Sequence, residues 1–421
     1  MSIAITICAI ILYYTVGKRY QSWILIALSL FVYWQVAHWN ILLLFSIALM
    51  VGICTSYLER NTTKTAVAIP VIVIIAGFFF LRSDIGGLGF PLGYSVLAFT
   101  SISILIDQYR NPAHYRYADI LSYLLFFPKI FAGPIERASS FISSTEKGFN
   151  GMSCYVGFKY LIFAAFCKLM VADNLASTEF TCIGLNLWME IFVYSIGFFF
   201  DFWAYTLMAI GVGKLFGYDL SANFFKPYYS SSFRAFWHRW NITLGTWLRD
   251  YIYIPLGGNK LPYIKWALAV LLVFIVSGVW HGATLPFIAW GICHGLLIIA
   301  ERSLFNRNRF SPLLKVAYSI VVFIFVSLLW QLFIVDSLGS AIQRYASLFD
   351  SEPFHGDIAG KLVLSGLAYI LLTSSAVFSL VQKSSDNRTF VIAEVLMLAV
   401  MLSALVLLNC PMSFNFFYFR F

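Results

Sequence analysis

Residues 232–260, SFRAFWHRWNITLGTWLRDYIYIPLGGNK, and residues 277–295, SGVWHGATLPFIAWGICHG, decide how this chain is read. The first stretch is dense in Trp, Arg, His, Asn and Asp. An apolar run at 266–276 joins it to the second, where His281 stands between Trp280 and Gly282 at the end of a membrane-length apolar segment. An ionisable side chain at membrane depth is costly and marks a functional position by default. Gly278 and Gly282 are expected to let a substrate approach the backbone there, and a near-neutral imidazole is the usual general base for a hydroxyl.

Outward from this stretch the chain is apolar. Hydrophobic residues make up 61% and charged residues 11% of 421 positions, with a mean hydropathy of +0.83. Soluble domains carry roughly 25% charged residues, so the surface cannot face water all round. Apolar runs fall near 2–16, 21–37, 40–57, 66–82, 89–107, 155–171, 184–217, 263–280, 284–301, 314–334, 360–381 and 389–409, with a broken region at 117–142. The expectation is an all-α polytopic membrane protein with about 11–12 transmembrane or re-entrant helices. Ile3–Val16 lacks a basic n-region and a cleavage site, so the first helix is expected to be retained. With no long polar linker, repeat or composition shift, residues 1–421 read as one integral membrane domain.

The net charge of +9 is spread over short loops, as membrane topology requires, and this excludes a nucleic-acid partner. The seven cysteines sit mostly in apolar stretches without a C-x-x-C. They read as small buried hydrophobes, with neither a disulfide frame nor a metal site expected. His38, His114 and His355 lie at segment ends or in polar loops and read as interfacial. Asp107 and Asp201 lie in apolar surroundings, where pairing with an Arg is the commoner use.

Between 217 and 265, Lys226, Arg234, Arg239, Arg249, Lys260 and Lys265 outnumber Asp219 and Asp250, which places this loop on the cytoplasmic side. Its aromatic residues, among them Phe236, Trp240 and Trp247, predict amphipathic helices lying in the membrane interface. Its charge predicts an electropositive mouth for an anionic acyl donor such as a coenzyme A thioester. His238 and Asn241 are spaced i, i+3, on one helical face, where Asn241 can orient an imidazole or donate to a carbonyl. His294 follows His281 by thirteen residues, about 220° round and about 20 Å along one continuous helix. The pair then has separate roles, with His294 packing or lining a tunnel, unless Pro286 bends the helix. No nucleophile elbow, P-loop or H-E-x-x-H is present, and the internal repeats common in transporters are not evident.

Four blocks resemble the membrane-bound O-acyltransferase (MBOAT) family in its bacterial, AlgI- and DltB-like branch. They are PLGYSVLAFTSISILIDQYR (91–110), FFPKIFAGPIERASSF (126–141), the long block 198–259, and SGVWHGATLPFIAWGICHG (277–295). The family core thus covers 89–300. The resemblance implies the catalytic histidine role for His281, in a central tunnel joining the two membrane faces, with the donor entering from the cytoplasm. Asn241 in RWN stands where the family often has His, which implies a positioning role for Asn241 with His238 one turn earlier. Arg239, Trp240, Trp280, Arg249, Asp250 and His294 fall in the same blocks as tunnel or donor-binding candidates. DFWAYTL at 201–207 departs from the DFSGYSD of AlgI-like members, and its Leu207 is closer to the DltB version; IPLGGN at 254–259 favours the acetylating side. The C-terminal FFYFRF, within 411–421, resembles the family systems' F-x-Y-x-x-F motif, and this implies Tyr418 as a transient acyl carrier.

What the resemblance implies, then, is a multi-pass enzyme of a bacterial cytoplasmic membrane with no bound cofactor. It moves an acetyl group from acetyl-CoA to a periplasmic or extracellular serine-type acetyltransferase partner, which places it on a polysaccharide. A D-alanyl transferase fed by an acylated carrier protein, and a non-catalytic channel or scaffold, are the alternatives.

Overall fold

The computed structural model describes residues 3–83, 90–130, 133–145, 148–176, 182–304, 311–385 and 387–407. Every regular element among them is helical, as an apolar solvent demands: a helix satisfies its own backbone donors and acceptors. The chain divides into two compact units, Met1–Ile162 with Tyr205–Ala222 and Gln382–Ser384, and Phe163–Ala204 with Asn223–Val381 and Ser385–Phe421.

The first unit holds α1 (Ile3–Thr15), α2 (Gln21–Ala37), α3 (Asn40–Leu58), α4 (Lys64–Arg82) and α5 (Tyr94–Arg110). Three short helices follow, α6 (Tyr117–Leu125), α7 (Phe127–Ile130) and α8 (Ala138–Ile142), and then most of α9 (Gly151–Phe166). Within the block 126–141 the described side chains are tightly packed. Lys129 is fully buried with its Nζ 3.6 Å from the centre of the Tyr123 ring, and the Tyr123 hydroxyl donates to the Glu136 carbonyl at 2.8 Å. The Glu136 carboxylate in turn accepts from the backbone N–H and hydroxyl of Ser221. A Cβ at Gly133 would fall 2.3 Å from the Lys129 Cα, so only glycine permits that approach.

The second unit begins with a π-helical turn, Cys167–Ala172, and α10 (Asp173–Ala176), and takes the greater part of α11 (Gly184–Leu215). It continues through the short α12 (Phe233–Trp237) and α13 (Ile242–Leu248) to α14 (Tyr263–His281), α15 (Leu285–Leu304) and α16 (Pro312–Trp330). Last come α17 (Leu338–Ala346), α18 (Gly356–Leu372), α19 (Ser375–Gln382) and α20 (Arg388–Leu407). The wider π turn carries Lys168, whose Nζ lies 2.6 Å from Asp201 and 2.7 Å from Asp173. Asp201 therefore pairs with a lysine thirty-three residues upstream, where an arginine was expected.

Nine helices among the described residues are long and apolar enough to span a membrane, ten if α18 and α19, bent by 54°, form one broken span. The expected number was higher because α1 and α5, with 13 and 17 residues, are apolar but shorter than the ~20 residues a span needs. α4, α16 and α20 expose rows of large apolar side chains, such as Ile69, Ile72 and Phe80, Val316 and Ile320, or Leu396 and Val400. Such rows suit lipid and would not survive in water.

α14 and α15 form a tight hairpin. A Cβ at Gly278 would sit 2.3 Å from the Phe287 carbonyl oxygen, and one at Gly291 2.3 Å from that of Phe274. Both glycines are required by close backbone approach, one from each side.

Candidate active site

The reading of 277–295 as one helix is corrected by the structure. α14 ends at His281, and Ala283 takes a left-handed φ of 54°, which an L-residue adopts only as a break. Pro286 then lies in the first turn of α15, the position proline favours; it starts a new helix and does not bend an old one. The chain reverses, so His281 and His294 approach one residue from two sides. Their ring centres lie 5.3 Å and 5.1 Å from that of Trp290. Phe333, at 5.0 Å, and Trp280, at 4.4 Å, complete an aromatic surround for the His281 ring.

His294 is fully buried. Its Nδ1 accepts from the Trp237 indole at 3.3 Å, which leaves the ring proton on Nε2. Among the described residues neither that Nε2 nor the Trp290 Nε1 has a hydrogen-bond partner. Buried N–H groups are rarely left so, and each asks for an explanation.

Beside this box lies a cavity of about 1000 Å³ whose lining includes Arg234, Trp237, His238, Asn241, Arg249, Ser277, Glu301 and Arg302. Along α14 it is lined by Trp266, Val270, Val273, Phe274 and Ser277, a helical stripe whose next turn on the same face is His281. Three arginines against one carboxylate make the wall electropositive. Glu301 is itself occupied, accepting from the backbone N–H of Phe233 at 3.1 Å. The Arg302 guanidinium stacks 4.0 Å over Trp266, and Arg249 bonds Asp250 at 2.9 Å.

His238 and Asn241 both line the cavity, but not from one helical face. α12 stops at Trp237, and Asn241 adopts φ 43° as the residue before α13, a conformation that asparagine tolerates better than most. The Arg234 Nε donates to the His238 Nε2 at 3.4 Å. Burial and the charges of Arg234 and Arg249 hold the His238 imidazole below its ordinary pKa, so it stands neutral at physiological pH.

The other candidates fall elsewhere. Trp240 is 4% exposed and packs against Phe198, Phe224, Phe236 and Trp330. Arg239 lies over Phe225. Of the loop aromatics expected in the interface, Trp237, Tyr251 and Tyr253 are half-buried, while Phe233, Phe236, Trp240 and Trp247 are core instead. Burying them among other aromatic side chains removes more apolar surface from water than lying flat would. Ser277, Trp290, Glu301 and Arg302 escaped the sequence reading, whereas Arg234 and Arg249 of the expected electropositive mouth do line the cavity. A pattern of cavity-facing positions on α14 (266, 270, 273, 277) was present to find four turns before His281. Tyr418 lies outside the described residues.

Residues 12–339 match the sequence model of MBOAT, the membrane-bound O-acyltransferase family. The chain belongs to this family. It is accordingly a multi-pass membrane acyltransferase. It is 30% identical over 397 residues to a probable alginate O-acetylase AlgI of Pseudomonas putida, covering 85% of this chain and 80% of that protein. A peptidoglycan O-acetyltransferase of Helicobacter pylori is 31% identical over 294 residues, covering 60% of this chain and 55% of that protein. A teichoic acid D-alanyltransferase of Bacillus subtilis is 31% identical over 233 residues, covering 49% and 58%.

Proposed function

We propose that this MBOAT protein resides in a bacterial cytoplasmic membrane and takes an acetyl group from acetyl-CoA for O-acetylation of a polysaccharide or cell-wall polymer outside it. The observation that carries the reading is the arginine-walled cavity whose α14 stripe leads to His281. Its charge suits the phosphates of a nucleotide thioester, and its basic rim is the side expected to face the cytoplasm. Similarity to the alginate O-acetylase runs over 85% of the chain and to the peptidoglycan O-acetyltransferase over 60%, against 49% for the D-alanyltransferase, which favours acetyl over D-alanyl.

In this reading His281 takes the proton of the accepting hydroxyl as its oxygen attacks the thioester carbon. The C–S bond breaks, and the thiolate leaves with the proton that His281 returns. The orphan N–H groups of His294 and Trp290 are the available donors for the developing oxyanion, and Asn241 positions the thioester end of the donor. Tyr418 supplies the first accepting hydroxyl and passes the acetyl group to a serine-type transferase on the outer face. The chain acts as one membrane domain with a tunnel between the two faces.

Incubating membranes with radiolabelled acetyl-CoA tests this. Label should reach the C-terminal peptide in wild type and be absent in His281→Ala and in Tyr418→Phe. Label that persists in His281→Ala overturns the base assignment, and labelling only from a D-alanyl carrier protein overturns the donor.

A further inference from the structure

A second set of chemistry-bearing side chains meets where α11 begins. The Sγ of Cys182, a carboxylate oxygen of Glu352 and a ring nitrogen of His355 all lie within 4.8 Å of one another. We propose that these three residues bind a zinc-class divalent transition metal, with the fourth tetrahedral position open to water.

Thiolate, imidazole and carboxylate are the three protein ligand types of zinc, and three protein ligands plus water is a recurrent coordination set. A sulfur donor selects against magnesium and calcium, which take oxygen. Ligands about 2.0–2.3 Å from a tetrahedral ion stand roughly 3.5 Å apart. The donors must therefore close by little more than an ångström, which side-chain rotation of exposed His355 and half-buried Glu352 supplies.

The surroundings hold the donors in place. Asn186 and Glu190, spaced i, i+4, share one face of the start of α11, and Cys182 lies two residues before that helix begins at Gly184. Asn186, 1% exposed, donates from Nδ2 to Glu352 Oε1 at 2.8 Å and to the Pro353 carbonyl at 2.7 Å. Its Oδ1 accepts from the His355 backbone N–H at 3.0 Å. The Ile183 N–H also donates to Glu352 Oε1, at 3.0 Å. Both hydrogen bonds thus fall on one carboxylate oxygen and leave Oε2 for a metal. The Cys182 N–H donates to Glu190 at 3.3 Å, and Arg344 pairs with that same carboxylate. Gly184, at φ +55°, lets the Asp350 carbonyl approach to 2.2 Å of where a Cβ would stand, which seats the 350–355 loop on the helix.

The cluster is distinct from the candidate active site. Phe333, which edges His281, packs on Phe198 of the same α11. Gly184 to Phe198 is about 21 Å along a helix at 1.5 Å per residue. Cys182 and His355 are 173 positions apart, a separation at which no ligand spacing shows, so the cysteine reads from sequence as an ordinary buried thiol.

The test is a cobalt(II) titration of the purified full-length chain in detergent, after chelator treatment. Wild type should bind one equivalent with a thiolate-to-cobalt charge-transfer band, and zinc(II) should displace it. Cys182→Ser should abolish the band. His355→Gln, which keeps the backbone hydrogen bonds of this exposed residue to Asn186 and Ala359, should weaken cobalt binding at least as much as the roughly 10–100-fold loss typical of outer-shell changes; Asn186→Leu should fall within that range. Absence of the band in wild type overturns the site, as does a band that survives Cys182→Ser or an affinity unchanged in His355→Gln.

Discussion

Lys168 and His294 both lie buried within apolar helices of the same unit, 3% and 0% exposed, and they differ in how their polar atoms are met. The Lys168 ammonium holds two carboxylates, Asp173 and Asp201, at 2.7 and 2.6 Å. The His294 ring takes one hydrogen bond from Trp237, and its Nε2 has no partner among the described residues. A buried charge that is fully paired is a structural clasp, since its attraction offsets a desolvation cost that either partner alone could not. A buried donor left open beside a cavity is stabilised only when something else arrives. The sequence presents both as polar residues in apolar runs. Only their partners separate clasp from site.

The largest effect expected on that distinction is at His281. His281→Ala should lower acyl transfer by about 10²–10⁴-fold, the range for loss of a general base, while insertion and melting temperature stay near wild type. A mutant with normal transfer would place the chemistry elsewhere. Lys168→Met should do the opposite. Leaving Asp173 and Asp201 without their cation should cost about 3–5 kcal/mol, seen as lost yield and a lower melting temperature in detergent. Near-normal stability in Lys168→Met would break the comparison, because the triad would then be no clasp.

Legibility followed the same line. Helical class, the multi-pass membrane character and the block around His281 were readable because apolar length and a lone imidazole are local features of sequence. The hairpin was not. Nothing in HGAT announces that Ala283 will take a left-handed φ, and Pro286 suggested a bend when it opens α15. Reading 277–295 as continuous therefore sent His281 and His294 to separate places, whereas the reversal sets both against Trp290. Arg234, Glu301 and Arg302 reach one cavity from α12 and α15, a convergence that tertiary packing alone creates. Trp240 was misplaced for a related reason: an aromatic residue beside arginines reads as interfacial until its ring partners are known.

Gly278→Ala and Gly291→Ala probe that hairpin from its two sides. Each added methyl meets backbone carbonyl that cannot rotate away, so each should destabilise by about 1–3 kcal/mol, the cost of overpacking. Because the hairpin also sets the distance between His281 and Trp290, transfer per folded molecule should fall with stability. If activity survives intact in a measurably destabilised Gly278→Ala protein, the box tolerates more freedom than its packing suggests. A smaller effect is expected at the cavity wall. Arg302→Gln should raise the KM for an anionic donor about two- to fivefold, equivalent to ~0.5–1 kcal/mol for an exposed charge, with kcat unchanged. The difference should shrink in high salt as screening takes over.

The smallest effect belongs to His238, and its sign follows from its surroundings. Burial and the positive charges of Arg234 and Arg249 depress its pKa in the folded protein, so folding favours the neutral ring. The stability linked to that neutrality is fully present above the unfolded value of about 6.5 and is lost as pH falls through the lower folded value. Protonation also removes the Nε2 lone pair that accepts from Arg234 and turns an acceptor into a fourth positive charge on a wall that already carries Arg234, Arg249 and Arg302. Wild type should therefore lose melting temperature between pH 7.5 and pH 5 relative to His238→Gln, which has no proton to take up. Thermal melts of the two proteins across that range decide it. If the gap between them stays constant, or if wild type gains on acidification, His238 is not held neutral by its arginine neighbours. The cavity would then be less electropositive than the three guanidinium groups make it.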